Sequence, residues 1–276
     1  MNKSNPRKEI LVTNDDGYRS KGIQVLTSML REFGNVTVVA PMEAQSGKSS
    51  SLTLDRPLMI EKPLVKRATK KLGSLRVYTL SGTPVDCVKL AVNGFKMEGR
   101  MPDLLVSGIN HGSNASAASI YSGTLGATIE GTIYDIPSIG LSINTHDENA
   151  DFTAVIFYAR RFVQRVLDDG LRRGIYLNIN FPNLPLEQIR GIRMARQGMG
   201  RWVKEFDHRV NMRGNHYFWM VGEFEDEEPV GAPDADHHLM DAGYISVVPH
   251  RIDTTDYVEM ERLRDLWHFD SNLEGD

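Results

Sequence analysis

Residues 10–17 read Ile-Leu-Val-Thr-Asn-Asp-Asp-Gly, an apolar run that passes directly into a polar turn. The aliphatic and β-branched residues from Ile10 to Thr13 predict a buried strand. After the turn, apolar residues recur at the spacing of one helix face, namely at Ile23, Val25, Leu26, Met29, Leu30 and Phe33. A strand, a polar loop and an amphipathic helix in this order are typical of the first unit of an α/β fold.

The same alternation continues through the first two thirds of the chain. A helix is predicted to start at Thr83, with Thr83 as N-cap, Pro84 at the first helical position and Asp86 in the first turn. Strands alternating with helices imply a Rossmann-like, doubly wound and mostly parallel sheet. The further predicted elements are strands at 36–40, 76–80, 103–107, 138–143 and 175–180 and helices at 123–134 and 151–167.

The last third of the chain has a different pattern. It predicts strands at 189–195, 216–221 and 244–248, an acidic, proline-containing loop at 223–233 and a helix at 256–269. We therefore expect a Rossmann-like catalytic core over 1–185 and a C-terminal antiparallel extension over 186–276. The extension is expected to serve oligomerisation, although capping of a substrate cleft explains it equally well.

Composition excludes several classes of function. The 276 residues include 32 Lys and Arg and 36 Asp and Glu, a net charge of −4, which argues against a partner that is a nucleic-acid polymer. The longest apolar run, 154–159, is far shorter than the roughly 20 residues of a membrane helix, and the polar stretch 1–9 does not fit a secretory signal. The single cysteine, Cys87, allows no intrachain disulfide, and we expect it in the core rather than as a nucleophile. A cytoplasmic protein with no membrane partner is expected.

Ligands of open parallel sheets bind beyond the carboxyl ends of the strands, which directs attention to the loops at 14–17, 41–49 and 107–124. Asp15 and Asp16 are adjacent carboxylates that repel each other, so a bound cation is the natural compensation. Oxygen ligands select Mg²⁺, Mn²⁺ or Ca²⁺ over zinc, and the Ser46 hydroxyl and the Asn110 amide oxygen could complete the site. An ordinary turn is the alternative, because Asn-Asp-Asp-Gly is also common turn composition.

A second candidate feature is the run Tyr121-Ser122-Gly123-Thr124, which directly precedes a predicted helix. The free N–H groups of a helix N-terminus can bind an anion, and the two hydroxyls would add donors. A plain N-cap followed by a flexible loop fits the same residues. The pair His237-His238 is interpreted as solvated surface, with the two rings pointing apart on a strand.

Several known motifs are absent from the sequence. The segment 46–49, Ser-Gly-Lys-Ser, is similar to the end of a Walker A loop, but Met42 occupies the position of the earlier glycine. There is no G-x-G-x-x-G for a dinucleotide and no G-x-S-x-G for an α/β-hydrolase serine. These absences disfavour dehydrogenases, P-loop enzymes and serine esterases.

Several blocks of the sequence, in the same order, resemble the SurE family of survival-protein nucleotidases. The blocks are Leu11 to Gly17, Ala40-Pro41 with Ser46-Gly47, Gly82 to Val88, Pro102 to Leu104 with Ser107 to Asn110, Tyr121 to Thr124 with Glu130-Gly131, and Gly243 to Val247 with Pro249. The sequence departs from the family pattern at Ser116, where glycine is common, and at 125–128, Leu-Gly-Ala-Thr, where Val-Gly-Ala-Ala is commoner.

The resemblance implies a Rossmann-like core and a C-terminal extension that is exchanged between the subunits of a homodimer or homotetramer. It also implies a divalent-metal phosphomonoesterase acting on nucleoside 5′-monophosphates, with wider activity on 3′-nucleotides and short polyphosphate. The metal ligands fall on Asp15, Asp16, Ser46 and Asn110, which would hold one Mn²⁺ or Mg²⁺ per subunit, and Asp236 matches a C-terminal acidic position of the family.

For the mechanism, we expect metal-assisted hydrolysis in which Asp15 or Asp16 steers or deprotonates the attacking water. The substrate phosphate is expected to contact Asn110, Gly112, Asn114, Ser122, Gly123 and Thr124. Three alternatives stay open: a broad phosphatase with a non-nucleotide substrate, a metal-dependent nucleotide-binding module without turnover, and a purely structural oligomer.

Overall fold

The computed structural model describes residues 7–229 and 232–267 of the chain. Within these residues the strands are β1 (Lys8–Thr13), β2 (Gly34–Pro41), β3 (Ile60–Lys66), β4 (Leu75–Leu80), β5 (Leu104–His111), β6 (Ser138–Ile143), β7 (Ile175–Phe181), β8 (Gly191–Met194), β9 (Gly200–Val203), β10 (Phe206–Val210), β11 (His216–Met220), β12 (Glu223–Asp226) and β13 (Tyr244–Arg251). The helices are α1 (Lys21–Leu30), α2 (Pro84–Met97), α3 (Ala118–Tyr121), α4 (Gly123–Ile133), α5 (Thr153–Asp169), α6 (Asp236–Asp241) and α7 (Tyr257–Trp267).

A large mixed sheet organises the described part of the chain, with the strand order β3-β4-β2-β1-β5-β6-β7-β13-β8. The six strands from β4 to β7 in this order are parallel to one another. On one side of β1 lie β2, β4 and β3, and on the other side lie β5, β6 and β7. The winding direction therefore reverses between β1 and β5, which is the position where doubly wound sheets bind ligands.

Helices cover both faces of this sheet, as predicted for a doubly wound fold. Side chains of β1 alternate between the faces: Ile10 and Val12 pack in the core cluster that includes α1 and α5, whereas Leu11 packs in the cluster that includes α2 and α4. The period-2 alternation of a strand explains this division, because a strand buried on both faces needs apolar residues throughout.

The predicted start of α2 at Thr83 is confirmed. The Thr83 hydroxyl accepts a hydrogen bond from the Asp86 backbone N–H, and the Asp86 carboxylate accepts one from the Thr83 backbone N–H. This reciprocal capping box satisfies two backbone donors that the helix itself leaves unpaired.

Two of the three strands predicted for the C-terminal extension belong to the main sheet. β13 pairs antiparallel with β7, and β8 pairs parallel with β13 at the sheet edge. The third, β11, pairs antiparallel with β10 in a separate hairpin, and β9 pairs with β12 in another. The division of the chain into segments 1–185 and 186–276 stays a prediction.

Two segments read as loops from the sequence contain strands. β3 lies between the predicted strands at 36–40 and 76–80, where no further strand was predicted, and β12 lies in the predicted acidic loop. Both are edge or hairpin strands, because within residues 7–229 and 232–267 β3 pairs with β4 alone and β12 with β9 alone. Exposed charged residues therefore interrupt the apolar alternation on which the sequence prediction relies. The predicted helix at 256–269 is found as α7, and its residues 268 and 269 lie outside the described part of the chain.

The hairpin of β10 and β11 carries large apolar side chains that are exposed. Phe206, Phe218 and Trp219 are each about 60% exposed, and Met220 is 75% exposed. A concentration of exposed apolar side chains on one hairpin is unusual for a monomer surface. Among the described helices, none has both the length and the apolar character needed to cross a membrane.

Candidate functional site

The polar residues predicted at three strand ends converge at the point where the sheet changes its winding direction. Asp15 and Asp16 lie in the loop just after β1, and Asn110 is the next-to-last residue of the neighbouring strand β5. β1 and β5 are hydrogen-bonded neighbours with Thr13 opposite Ser107. Parallel pairing therefore brings the two loops to one edge of the sheet.

Asp15 is buried, with 5% of the residue exposed, and α4 holds its side chain in place. The Thr124 hydroxyl donates a 2.5 Å hydrogen bond to Asp15 Oδ1, and the Thr124 backbone also contributes a hydrogen bond. A Cβ at Gly123 would lie 2.9 Å from the Asp15 Cβ, so a glycine is needed there for α4 to approach. Burial raises the pKa of the Asp15 carboxyl to about 6, against the opposing hydrogen bond from Thr124 and with the help of the neighbouring charge of Asp16.

Asp16 is less buried, and its carboxylate is oriented by His111. The His111 backbone N–H donates a 3.1 Å hydrogen bond to Asp16 Oδ2, and the His111 Nδ1 lies 3.2 Å from the same oxygen. The His111 ring packs edge-on against Phe152. Sequence reasoning missed His111, although a titratable residue between Asn110 and Gly112 in a strand-end motif was a signal that could have identified it.

The two carboxylates have little positive charge nearby. Within the described part of the chain, His111 is the one basic side chain within ion-pairing distance of Asp16, and Asp15 has no such neighbour. Two adjacent carboxylates, one of them desolvated, are costly to keep ionised without a compensating cation. The site is thus suited to a divalent cation with hard oxygen ligands.

Asn110 lies next to a bulge in β5. Ser107 pairs with Gly140 of β6 and Asn110 pairs with Ser142, so three steps along β5 match two along β6. The Asn110 side-chain nitrogen donates a 2.7 Å hydrogen bond to the Gly112 carbonyl. Because the nitrogen is used in this way, the amide oxygen is the atom that remains able to coordinate a cation.

Ser46 belongs to a loop that is attached to the same site. The Gln45 backbone N–H donates a 2.7 Å hydrogen bond to the Asp15 carbonyl, and the Ser49 N–H donates to the carbonyl of Tyr121, the last residue of α3. Ser46, which follows Gln45, is exposed. The loop that contains Ser46 is therefore attached to the turn that contains Asp15.

The hydroxyls predicted to bind phosphate already have partners within the protein. The Ser122 hydroxyl caps α4 by accepting from Leu125 N–H at 3.1 Å, and the Thr124 hydroxyl donates to Asp15. Of the two interpretations of this segment, the N-cap is thus present. The first turn of α4 thus donates a hydrogen bond to the Asp15 carboxylate.

Gly112 and Asn114 lie on the loop after β5. Gly112 has a φ of +105°, and a Cβ there would lie 2.7 Å from the ring of the exposed His146. Asn114 is buried: its side-chain nitrogen donates to Ser142 Oγ at 2.7 Å, and its backbone N–H donates to Asn180 Oδ1 at 2.8 Å. Asn114 thus anchors this loop to the ends of β6 and β7.

Asp236 is fully buried and joins the C-terminal part of the chain to the same loop. Its carboxylate accepts hydrogen bonds from the backbone N–H groups of Ser116, Gly198 and His237 at 2.9 to 3.1 Å. Ser116 is the position where the family pattern prefers glycine, and its φ of +52° explains that preference.

Two expectations for single residues have opposite outcomes. Cys87 is fully buried in the core, as expected, and burial raises the pKa of its thiol well above the usual range. The interpretation of His237 and His238 as rings pointing apart on a strand is wrong. Both lie on α6, are only partly exposed and contact the same carboxylate, that of Asp226.

Comparison with known proteins identifies the family of this chain. The family model described as "Survival protein SurE" matches residues 10–204. A protein named "5′-nucleotidase SurE" from Phocaeicola vulgatus is 41% identical over 261 residues, which cover 95% of this chain and 97% of that protein. One of the same name from Chlorobaculum tepidum is 42% identical over 253 residues, or 91% of this chain and 92% of that protein.

Among solved structures, the SurE protein from Aquifex aeolicus is similar to this chain, with a TM-score of 0.77 and 35% sequence identity. The similarity covers 94% of this chain and 99% of that one. Fold, motif order and identity over nearly the whole length therefore agree. The chain belongs to the SurE family.

Proposed function

We propose that this protein is a divalent-metal-dependent phosphomonoesterase that hydrolyses nucleoside 5′-monophosphates to nucleoside and phosphate. The observation that carries the proposal is the pair Asp15 and Asp16 at the winding switch of the sheet, with no lysine or arginine to neutralise it in the described part of the chain. The names of the relatives, each a 5′-nucleotidase, support the reaction and the substrate class. Activity on 3′-nucleotides and short polyphosphate belongs to the same proposal.

The proposed ligands of one Mn²⁺ or Mg²⁺ per subunit are Asp15, Asp16, Ser46 and Asn110. Their donor atoms are carboxylate, hydroxyl and amide oxygens, a set that suits these hard cations. The raised pKa of Asp15 supports the fit, because a nearby cation would relieve the cost of its buried charge. A divalent cation bound there supplies Lewis-acid polarisation of a phosphoryl oxygen and lowers the pKa of a coordinated water.

The environments of the two carboxylates indicate different roles. Asp15 is buried and held by Thr124, so it is assigned to metal binding with a fixed geometry. Asp16 is more exposed and is aimed by the His111 backbone N–H, so it is assigned to orienting or deprotonating the attacking water.

Substrate phosphate is assigned to the edge formed by the β5 loop and the start of α4. Asn110 and Gly112 come from the loop, and Ser122, Gly123 and Thr124 come from the helix start. Asn114 is assigned a supporting role, since its side chain is buried and bonded to Ser142. Backbone N–H groups at this edge are suited to the charge that develops on phosphoryl oxygens.

We also propose that the chain forms a homodimer or homotetramer through its C-terminal part. The exposed aromatic side chains of the β10–β11 hairpin support this, because contact with a second copy would remove them from water. A cytoplasmic location stays a prediction from the sequence.

The test of the proposed function is phosphate release from a panel of nucleoside monophosphates, measured with Mn²⁺, with Mg²⁺ and with EDTA. We expect release that requires the metal and that falls by about 10² to 10⁴-fold in Asp16→Asn. Asp169→Asn, an exposed aspartate on α5, is the matched control and is expected to retain activity.

Other outcomes would redirect the assignment. Cleavage of an aryl phosphate but of no nucleotide would retain the catalytic site and remove the substrate assignment. Tight nucleotide binding without release would indicate a binding module. Unchanged turnover in Asp16→Asn would remove Asp16 from the site.

A further inference from the structure

A second cluster of metal-ligating side chains lies away from Asp15 and Asp16, between β12 and α6. It consists of Asp226, His237 and His238, whose ligand atoms all lie within 4.8 Å of one another. His237 Nε2 is 3.0 Å from Asp226 Oδ1, and His238 Nε2 is 2.6 Å from Asp226 Oδ2. The two imidazole rings are 4.4 Å apart between centroids.

The other nitrogen of each ring also faces an acceptor. His238 Nδ1 lies 3.0 Å from the Ala232 carbonyl oxygen, and His237 Nδ1 lies 3.5 Å from Asp236 Oδ1. An acceptor at Nδ1 places the proton of a neutral imidazole on that nitrogen, which leaves Nε2 with a lone pair. Each Nε2 lone pair then points at a carboxylate oxygen, which is itself an acceptor.

Two acceptors in contact need something positive between them. Protonating both rings would place two imidazolium cations side by side, which repel each other. One divalent cation between the two Nε2 atoms and the carboxylate satisfies all three acceptors at once. Metal-binding histidines in known sites usually donate the N–H of their other ring nitrogen to a carboxylate or a carbonyl, which fixes the tautomer. The acceptors at Nδ1 of His237 and His238 match this arrangement.

We propose that Asp226, His237 and His238 form a transition-metal site, with Zn²⁺ as the preferred ion. Two imidazole nitrogens and one carboxylate oxygen are a donor set that suits zinc, whereas Mg²⁺ and Mn²⁺ prefer oxygen ligands. With Zn–N and Zn–O bonds of about 2.0 to 2.2 Å, a tetrahedral ion separates its ligand atoms by about 3.3 Å. The observed 2.6 and 3.0 Å therefore require only small side-chain shifts to admit the ion.

The site would join two separate elements of the C-terminal part of the chain. Asp226 is the last residue of β12, whereas His237 and His238 lie on α6 directly after Asp236. Asp236 in turn accepts the Ser116 N–H on the loop after β5. A bound ion would therefore tie the β9–β12 hairpin to the helix that anchors the active-site loop.

The test is a count of bound Zn²⁺ on the full chain after removal of metal with EDTA, by equilibrium dialysis and mass spectrometry. In Asp16→Asn, which weakens the other site, we expect one saturable equivalent of Zn²⁺ to remain. Substitution with Co²⁺ is expected to produce visible absorption from nitrogen ligation. Neither readout depends on phosphatase activity, so failure of the proposed function leaves this test intact.

Single variants locate the ion. His238→Ala, His237→Ala and Asp226→Asn are each expected to lower Zn²⁺ affinity by about 100-fold or more, since even supporting residues of metal sites contribute 10 to 100-fold. His216→Ala is the matched control, because His216 pairs with His208 on the neighbouring hairpin and lies outside the cluster. Far-UV circular dichroism checks that each variant is folded.

Three results would overturn the proposal. The first is the absence of any saturable Zn²⁺ equivalent in folded Asp16→Asn. The second is an equivalent that His216→Ala removes and His238→Ala retains. If nitrogen NMR shows both rings doubly protonated at neutral pH with no change on adding Zn²⁺, a pair of imidazolium ions explains the contacts instead.

Discussion

The Thr124 hydroxyl donates a 2.5 Å hydrogen bond to Oδ1 of Asp15, across 109 positions of the chain. The contact ties the first turn of α4 to the turn after β1. Both side chains are buried, so water cannot replace the bond if it is lost. The start of α4 thereby holds one of the proposed metal ligands in a single orientation.

Removal of this hydroxyl is expected to weaken metal binding. In Thr124→Val the shape is kept but Asp15 loses a donor, so its pKa rises above about 6 and Mn²⁺ affinity falls by about 10 to 100-fold. Thr124→Ser retains the hydroxyl and serves as the control. Calorimetric titration with Mn²⁺ measures the effect, and equal affinity in Thr124→Val and the wild type would contradict it.

The buried Asp15 carboxyl predicts a pH dependence of stability in the metal-free protein. The pKa of this carboxyl is 3.8 when it is free in water, as in the unfolded chain, and about 6 in the folded chain. Between these pH values the folded state therefore binds more protons than the unfolded state. The free energy of unfolding therefore falls as pH rises from about 4 to 6, by about 3 kcal/mol from this group. Above pH 6 this contribution is constant.

Asp15→Asn lacks the titrating carboxyl. Its free energy of unfolding is therefore expected not to show the Asp15-dependent fall between about pH 4 and 6. Urea unfolding with EDTA at several pH values between 4 and 7 should show the variant gaining stability relative to the wild type as pH rises. A difference between the two proteins that is independent of pH would show that Asp15 titrates normally.

Asp236 is expected to hold the loop after β5 through its bonds to Ser116 and Gly198. Asp236→Asn replaces an acceptor oxygen with a donor, which should destabilise the protein by about 1 to 3 kcal/mol. Hydrogen exchange measured by NMR should then be faster at the Ser116 and Gly198 amides. Asp234→Asn, an exposed neighbour paired with Arg196, is the control, and unchanged exchange in Asp236→Asn would refute the role.

The β10–β11 hairpin is expected to stabilise the oligomer. Trp219→Ser removes a large side chain that is 59% exposed in the single chain. The variant oligomer should therefore dissociate at a higher protein concentration than the wild-type oligomer does. Sedimentation velocity over a range of concentrations measures this. Phe157→Ser, an exposed aromatic residue on α5, is the control, and equal shifts in both variants would show that the hairpin has no special part.

Strongly patterned parts of the fold were predictable from the sequence. The strand at Ile10–Thr13, the capped start of α2 at Thr83 and the alternation of strands with helices all follow from local propensity and period. Edge strands such as β3 were missed because exposed strands lack a buried face and therefore lack an apolar signal.

The candidate site was predictable in composition but not in arrangement. Asp15, Asp16, Ser46 and Asn110 were identified because polar residues at strand ends meet at one sheet edge. Nothing local in the sequence indicated that His111 aims Asp16, since the two are 95 positions apart. The common partner of His237 and His238 was missed because a strand would separate the two rings, whereas α6 brings both to the Asp226 carboxylate.

The sequence by itself determined the α/β class, the family and the residue types at the strand ends, because these depend on local order along the chain. Only the tertiary structure decided which groups are in contact. The Thr124 hydroxyl bonds to Asp15, the Ser116 backbone N–H bonds to Asp236, and two histidine rings contact Asp226. Such contacts depend on strand order and on the approach of helices to the sheet. These are set by packing of the whole core, so they leave no periodic signal in the residues that take part.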